Sequence, residues 1–267
     1  MAPLRAVGAV NALAADVATR AGFDALWVSG LETSAALGLP DTNLIGVDDL
    51  VNVVSAVGRA SALPVIVDVD NAGGSVAAAH RYAADLAQAG AAGVCLEDSS
   101  YPKCNSFTAD TQQRLADRDL VGTQLAQMRS VTGRDLLLIA RTEALIVGEN
   151  MSAALARANA YVEAGADAVI IHSKDPSGRQ AFDIARAWRK SSPLAVIPTA
   201  FPQLSAREMG AAGFALCIYA NQLSRAALAG MRVAAERIAD GGVLDAGLLA
   251  SFGDLLRVGQ PGARVCI

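Results

Sequence analysis

Eight short, almost unbroken apolar runs recur along the chain, at 6–10, 25–29, 64–70, 93–98, 136–142, 168–173, 194–199 and 215–221, with longer segments between them. An unbroken apolar run is what a strand covered on both faces requires. Parallel strands covered in that way must be joined by crossovers, normally helices. Amphipathic stretches at 12–21, 47–59, 75–89, 120–130, 152–164 and 222–239 supply them. Several close on Ala-Gly (Ala21-Gly22, Ala89-Gly90, Ala164-Gly165, Ala212-Gly213), where glycine can end a helix at positive φ. Eight such units in 267 residues predict an α/β fold: a single (β/α)8 TIM-type barrel domain over 1–267, with additional helices at its C-terminal end. A doubly wound open sheet is the alternative. Its dinucleotide-binding form is disfavoured, because no Gly-x-Gly-x-x-Gly follows the first run.

The polar residues gather where this architecture would use them. The apolar runs end on Ser29-Gly30, Asp68 with Asp70, Glu97-Asp98, Arg141 with Glu143, His172-Ser173 and Asn221, and in a barrel all of these ends meet on one face. Several carboxylates in one pocket repel one another unless a cation screens them. A hard, oxygen-rich donor set selects Mg2+ over zinc, so the expected cofactor is a partly hydrated Mg2+. Arg141 offers a planar fork to a carboxylate or phosphoryl group. His172 is assigned to the pocket and His80, in a helical stretch, to the surface. The polar stretch after Glu97, with Pro102, Lys103 and Asn105, reads as a lid that brings a cation and an amide over a bound anion.

The rest of the composition narrows the partners. A net charge of −4 without a basic cluster excludes a nucleic-acid surface and leaves a small anionic molecule as the expected substrate. No apolar run approaches the ~20 residues of a membrane helix, and the first residues lack the pattern of a signal peptide, so no membrane partner and a cytoplasmic location are expected. Cys95, Cys104, Cys217 and Cys266 have no metal-ligand spacing and are read as reduced thiols. The Ala-rich segment 221–239, the following 245–257 and the tail 259–267 are candidate contacts of a homo-oligomer, a dimer or tetramer.

Three stretches carry a family resemblance in combination: Glu97-Asp98 followed by Pro102-Lys103-Cys104-Asn105-Ser106; Ile139-Ala140-Arg141-Thr142-Glu143-Ala144-Leu145-Ile146; and Ile171-His172-Ser173-Lys174. They resemble the isocitrate lyase and phosphoenolpyruvate mutase superfamily, and within it the mutases. Trp27-Val28-Ser29-Gly30, Gly38-Leu39-Pro40-Asp41, Ile197-Pro198-Thr199 and Tyr219-Ala220-Asn221 add to the likeness, which runs from about Val7 to Met231. The resemblance implies interconversion of phosphoenolpyruvate and phosphonopyruvate over Mg2+. Asp68 would hold the metal directly, and Asp70, Glu97 and Asp41 would hold it through water. Trp27, Ser29, Gly30 and Leu31 would bind the substrate anion, and Arg141, His172 and Ser173 its phosphoryl side. Lys103, Asn105 and Ser106 would form the gating loop, and Asp41, Lys103, Asn105, Ser106, Arg141 and His172 would be the catalytic set.

The departures from the family pattern leave alternatives. Asp68-Val69-Asp70-Asn71-Ala72-Gly73-Gly74 stands where Asp-x-Asp-Thr-Gly-aromatic-Gly is usual, and Ser99 stands where lysine follows Glu-Asp. Val10-Asn11 and Ala200-Phe201 also depart from their usual His-Asp and Lys-Tyr. Phosphonopyruvate hydrolases of the superfamily carry threonine at the position of Asn105. Carbon–carbon lyases carry Lys-x-Cys-Gly-His in this loop, whereas here Cys104 falls one place early and Gly-His is absent. A barrel that binds a ligand without turnover is the remaining reading.

Overall fold

The computed structural model describes residues 2–107, 113–258 and 260. Its eight strands are all parallel and close in sequence order into a barrel, the last pairing with the first. They are β1 (Leu4–Gly8), β2 (Ala25–Val28), β3 (Val65–Asp68), β4 (Gly93–Glu97), β5 (Leu137–Thr142), β6 (Ala168–Ile171), β7 (Leu194–Val196) and β8 (Phe214–Tyr219). Each overlaps one of the eight apolar runs. The ladders reach Asp68, Glu97 and Arg141 but stop short of two other polar ends: Ser29 caps the next helix and Asp70 turns to a φ of 49°, so neither continues a strand.

Ten helices follow the strands among the described residues: α1 (Ala12–Arg20), α2 (Gly30–Ala36), α3 (Val47–Ala60), α4 (Val76–Gln88), α5 (Arg118–Thr132), α6 (Met151–Glu163), α7 (Arg179–Ala187), α8 (Ala206–Ala212), α9 (Gln222–Ala239) and α10 (Phe252–Arg257). Side-chain caps set several starts. Asn11, Ser29, Ser75 and Asn150 each accept a backbone N–H of the first turn, which satisfies a donor the helix cannot.

Alternation along the strands sorts the apolar residues into two cores. Ala6, Ala25, Trp27, Ile66, Cys95, Ile139, Ile170 and Ile218 fill the barrel interior. Val7, Leu26, Val28, Val67, Val94, Leu96, Leu138 and Val169 pack outward against helices. The thiols of Cys95 and Cys217 are buried, that of Cys104 is partly so, and Cys266 lies outside the described residues. So does the expected oligomer contact of the tail, apart from Gln260. No described helix is long and apolar enough to cross a membrane.

Candidate active site

The interior core ends at Ile197 and Ala220, and above it the strand ends enclose a small cavity of about 60 Å3. Its wall includes Ser29, Leu31, Asp41, Asp68, Glu97, Lys103, Asn105, Ser106, Arg141 and His172. Ten of the residues expected at the site are therefore brought together from five strand ends and two loops.

One face of the cavity is a dense charge network. Arg141, at the end of β5, is its hub. The guanidinium donates through Nε to Glu143, lies 2.9 Å from His172 Nδ1, and faces Glu97 Oε2 at 3.5 Å and Asp68 Oδ2 at 3.7 Å. Glu143 is fully buried and also takes the Ser106 hydroxyl at 2.6 Å and faces His172 Nδ1 at 2.7 Å. Burial alone would raise the Glu143 pKa, but Arg141 and His172 hold it well below the usual carboxylate range. Burial lowers the His172 pKa against the opposing pull of Glu143, and its Nε2 is buried without a protein partner.

The second cation comes from the loop after β4. Lys103 is 7% exposed, its ammonium paired with Asp70 and, at 2.8 Å, with Asp41. Burial would lower its pKa, but Asp70, Glu97, Asp41 and Asp68 together raise it, so the charge stays. Asn105 donates from Nδ2 to Asp41 Oδ2 at 2.6 Å, and Phe107 lies 6.1 Å from the His172 ring, ring centre to ring centre. The stretch read as a lid thus lies closed over the strand ends.

Five carboxylates, Asp41, Asp68, Asp70, Glu97 and Glu143, share these two cations and the His172 imidazole. Burial dominates the response of three of them: it raises the Asp68 pKa, and it raises Asp70 to about 7 and Glu97 to about 8, despite Lys103 and Arg141. Among the described residues no three His, Cys, Asp or Glu side chains stand at metal-holding separations, and Lys103 occupies the space between Asp70 and Asp41. The donor set still fits a hard divalent cation, because it is all carboxylate, buried and in surplus over its cations.

Three expected substrate contacts lie elsewhere. Trp27 is fully buried in the barrel interior, because its register on β2 turns it inward below the cavity. Ser173 donates to Gln180 Oε1 at 2.6 Å and accepts from Asp175 N at 3.2 Å, so it shapes the β6–α7 turn. Gly30 lines no part of the cavity. A Cβ there would come within 2.9 Å of Asp70 Oδ1, and its absence is what lets the helix α2 start close to that carboxylate. Asp70 itself sits behind Lys103 rather than on the cavity wall. His80 is on the surface, 2.9 Å from Gln127.

Thr199 was not expected at the site, and Asn221, placed at a converging strand end, was given no role there; both line the cavity with a buried, unpartnered oxygen, Oγ1 and Oδ1. They make the β7–β8 side neutral and hydrogen-bonding, opposite the charged β3–β5 side. A polar residue closing an apolar run was the available signal for both. Asp98 departs from its neighbour Glu97: it points outward and is fully buried, accepting from Thr142 Oγ1, Glu143 N and Tyr161 OH at 2.8 Å each. It buttresses the end of β5 that carries Arg141.

Comparison with known proteins agrees with this geometry. Residues 1–239 match the phosphoenolpyruvate phosphomutase family model, and the chain belongs to that family. It is 39% identical over 233 residues to the phosphoenolpyruvate phosphomutase of Streptomyces hygroscopicus, covering 87% of this chain and 74% of that one. It is 35% identical over 241 residues to the phosphonopyruvate hydrolase of Variovorax sp. (strain Pal2), covering 89% and 83%. Among solved structures, a phosphonopyruvate hydrolase in complex with oxalate and Mg2+ superposes with a TM-score of 0.88 at 32% identity, over 97% of this chain and 90% of that one.

Proposed function

We propose that this member of the phosphoenolpyruvate phosphomutase family is itself a mutase, interconverting phosphonopyruvate and phosphoenolpyruvate. The supporting observation is the closed lid. It places Lys103, Asn105 and Ser106 over Arg141 and His172, and at position 105 an amide, not a hydroxyl, faces Asp41. The hydroxyl it does bring, Ser106, is donated to Glu143.

The reaction is an isomerisation in which no proton need move. The C–P bond breaks, its electron pair passes into the pyruvate enolate, and the enolate oxygen takes up the phosphoryl group. Such a loose phosphoryl transfer is limited by geometry, charge and exclusion of water. Ser29 and Leu31 would hold the carboxylate end. Arg141, pre-ordered by Glu143, would neutralise the phosphoryl oxygens, and the unpartnered His172 Nε2 would contact them. Asp68 would hold Mg2+ directly and Asp70, Glu97 and Asp41 would do so through water; bound there, Mg2+ would offset the carboxylate surplus and polarise the enolate oxygen. Asn105 would keep the transferring group from water by holding the lid without positioning a nucleophile.

The test is 31P NMR of the purified protein with phosphonopyruvate and Mg2+. Phosphoenolpyruvate as the product supports the mutase. Phosphate with pyruvate replaces it by the hydrolase, the second reading, which the 35% identical Variovorax relative keeps in view. Asn105→Thr should raise the phosphate share. We also propose a homo-oligomer, since α9 has no buried residue and exposes Leu228, Met231, Val233 and Ile238, and α10 exposes Phe252, Leu255 and Leu256. Light scattering at the mass of one chain would overturn it.

A further inference from the structure

The two departures at Asn71 and Ser99 meet in space, beneath the lid. Asn71, 2% exposed, shares its Nδ2 hydrogens among Ser100 O at 3.2 Å, Asn43 Oδ1 at 3.3 Å and Ser99 Oγ at 3.5 Å. Asn43 Oδ1 also accepts the backbone N–H of Lys103 at 2.7 Å. Ser99 in turn donates to Glu97 Oε1 at 2.5 Å. One side-chain oxygen and one side-chain amide therefore grip the lid backbone at both ends of the segment 100–103, and neither contact involves the catalytic charges.

The backbone around these residues is shaped for the same task. Asn43, Asp70 and Ala72 all have positive φ, at 61°, 49° and 48°, which non-glycine residues adopt rarely and asparagine most readily. Gly74 completes the seat: its φ is 69°, and a Cβ there would fall 2.6 Å from Tyr101 Cβ of the lid. The turn after β3 is thus fitted under Tyr101, and the loop before α3 is turned so that Asn43 faces Lys103.

We propose that Asn43 and Asn71 are positioning residues that latch the segment 100–106 closed over the cavity. The latch rests on reading that segment as one that opens to admit substrate, but not on which reaction follows. In this chain Asn71 stands where the family's threonine would be, and it supplies two donors where a hydroxyl has one.

Cys104 lies inside the latched segment, partly buried at the cavity wall, so its reactivity reports opening directly. The experiment follows its modification by a disulfide reagent in a Cys266→Ser background, without substrate or metal; Cys95 and Cys217 are buried and react slowly. Asn43→Gly removes the latch while suiting the positive φ, and should speed Cys104 modification on the order of tenfold. Asn43→Asp keeps the acceptor and should stay within about twofold. Asn71→Ala should speed it as Asn43→Gly does, and the double variant should add little, since Asn71 donates to Asn43 Oδ1 and the two hold the segment as one hydrogen-bonded unit. The proposal is overturned if Asn43→Gly leaves the rate within about twofold of the parent, as a mere turn-former would, or if Asn43→Asp opens the lid as far as Gly does. Because no turnover is measured, a wrong reaction assignment would leave these rates untouched and would show only in the phosphorus spectra.

Discussion

Glu32 offers a direct test of how burial controls charge in this barrel. It lies in the first turn of α2, 4% exposed, and its carboxylate fills the space a side chain on Gly8 would need. Burial raises its pKa from 4.5 to about 7; the hydroxyl and N–H of Ser224, close by but outside hydrogen-bond geometry, oppose the rise only in part. The folded state therefore binds this proton more tightly than the unfolded chain. Its contribution to stability is fully present below pH 4.5 and is lost as the pH rises through about 7. At 1.36 kcal/mol per pH unit the whole effect is ~3 kcal/mol. Glu32→Gln keeps the shape but cannot ionise. Urea unfolding of both proteins should show the variant gaining about 2–3 kcal/mol on the wild type between roughly pH 5 and pH 8.5. The titrating groups of the cavity are common to both and cancel in the difference. Stability curves that run parallel across this range would refute the argument, since the carboxylate would then be solvated in the folded state.

Arg141→Lys retains a charge but loses the fork shared among Glu143, Ser106 and His172, and should lower kcat/KM by about ten- to a thousandfold, the ~1–4 kcal/mol of a charge-assisted contact; unchanged kinetics would remove it from the site. Asp68→Ala should abolish Mg2+ binding in calorimetry and turnover together, yet leave the circular dichroism and metal-free unfolding close to wild type, because it removes one member of a crowded acidic set; activity persisting in EDTA would count against it. Tyr161→Phe takes one of the donors from buried Asp98 and leaves Thr142, Glu143 N and Arg157, so urea unfolding should register a loss of ~1–2 kcal/mol. No loss at all would mean that the Asp98 buttress does not depend on the tyrosine.

The strands were legible because a strand buried on both faces must be written as an apolar run, and the site was legible to the extent that polar residues close those runs. Helices α2 and α8 were not, since seven residues hold barely two turns and leave too short a period to read; α7 was missed as well, although it is as long as α1. Trp27 and Ser173 show the limit of the strand-end rule. It places a residue near the carboxyl ends, but register decides whether a side chain faces the cavity, the interior or a turn, and one residue of register reverses the answer. The adjacent carboxylates Glu97 and Asp98 make the point most sharply: the first lines the cavity and the second supports β5 from outside. The pairing of Lys103 with Asp41 joins two loops distant in sequence, and no local pattern announces it. Asn43 is the extreme case. Its sequence neighbours suggest an ordinary turn, and its contacts with Lys103 and Asn71 exist only because the barrel brings the β2, β3 and β4 loops to one rim. What local sequence cannot express is therefore the set of loop-to-loop contacts across that rim, and these are the contacts that hold residues 100–103 against the strand ends.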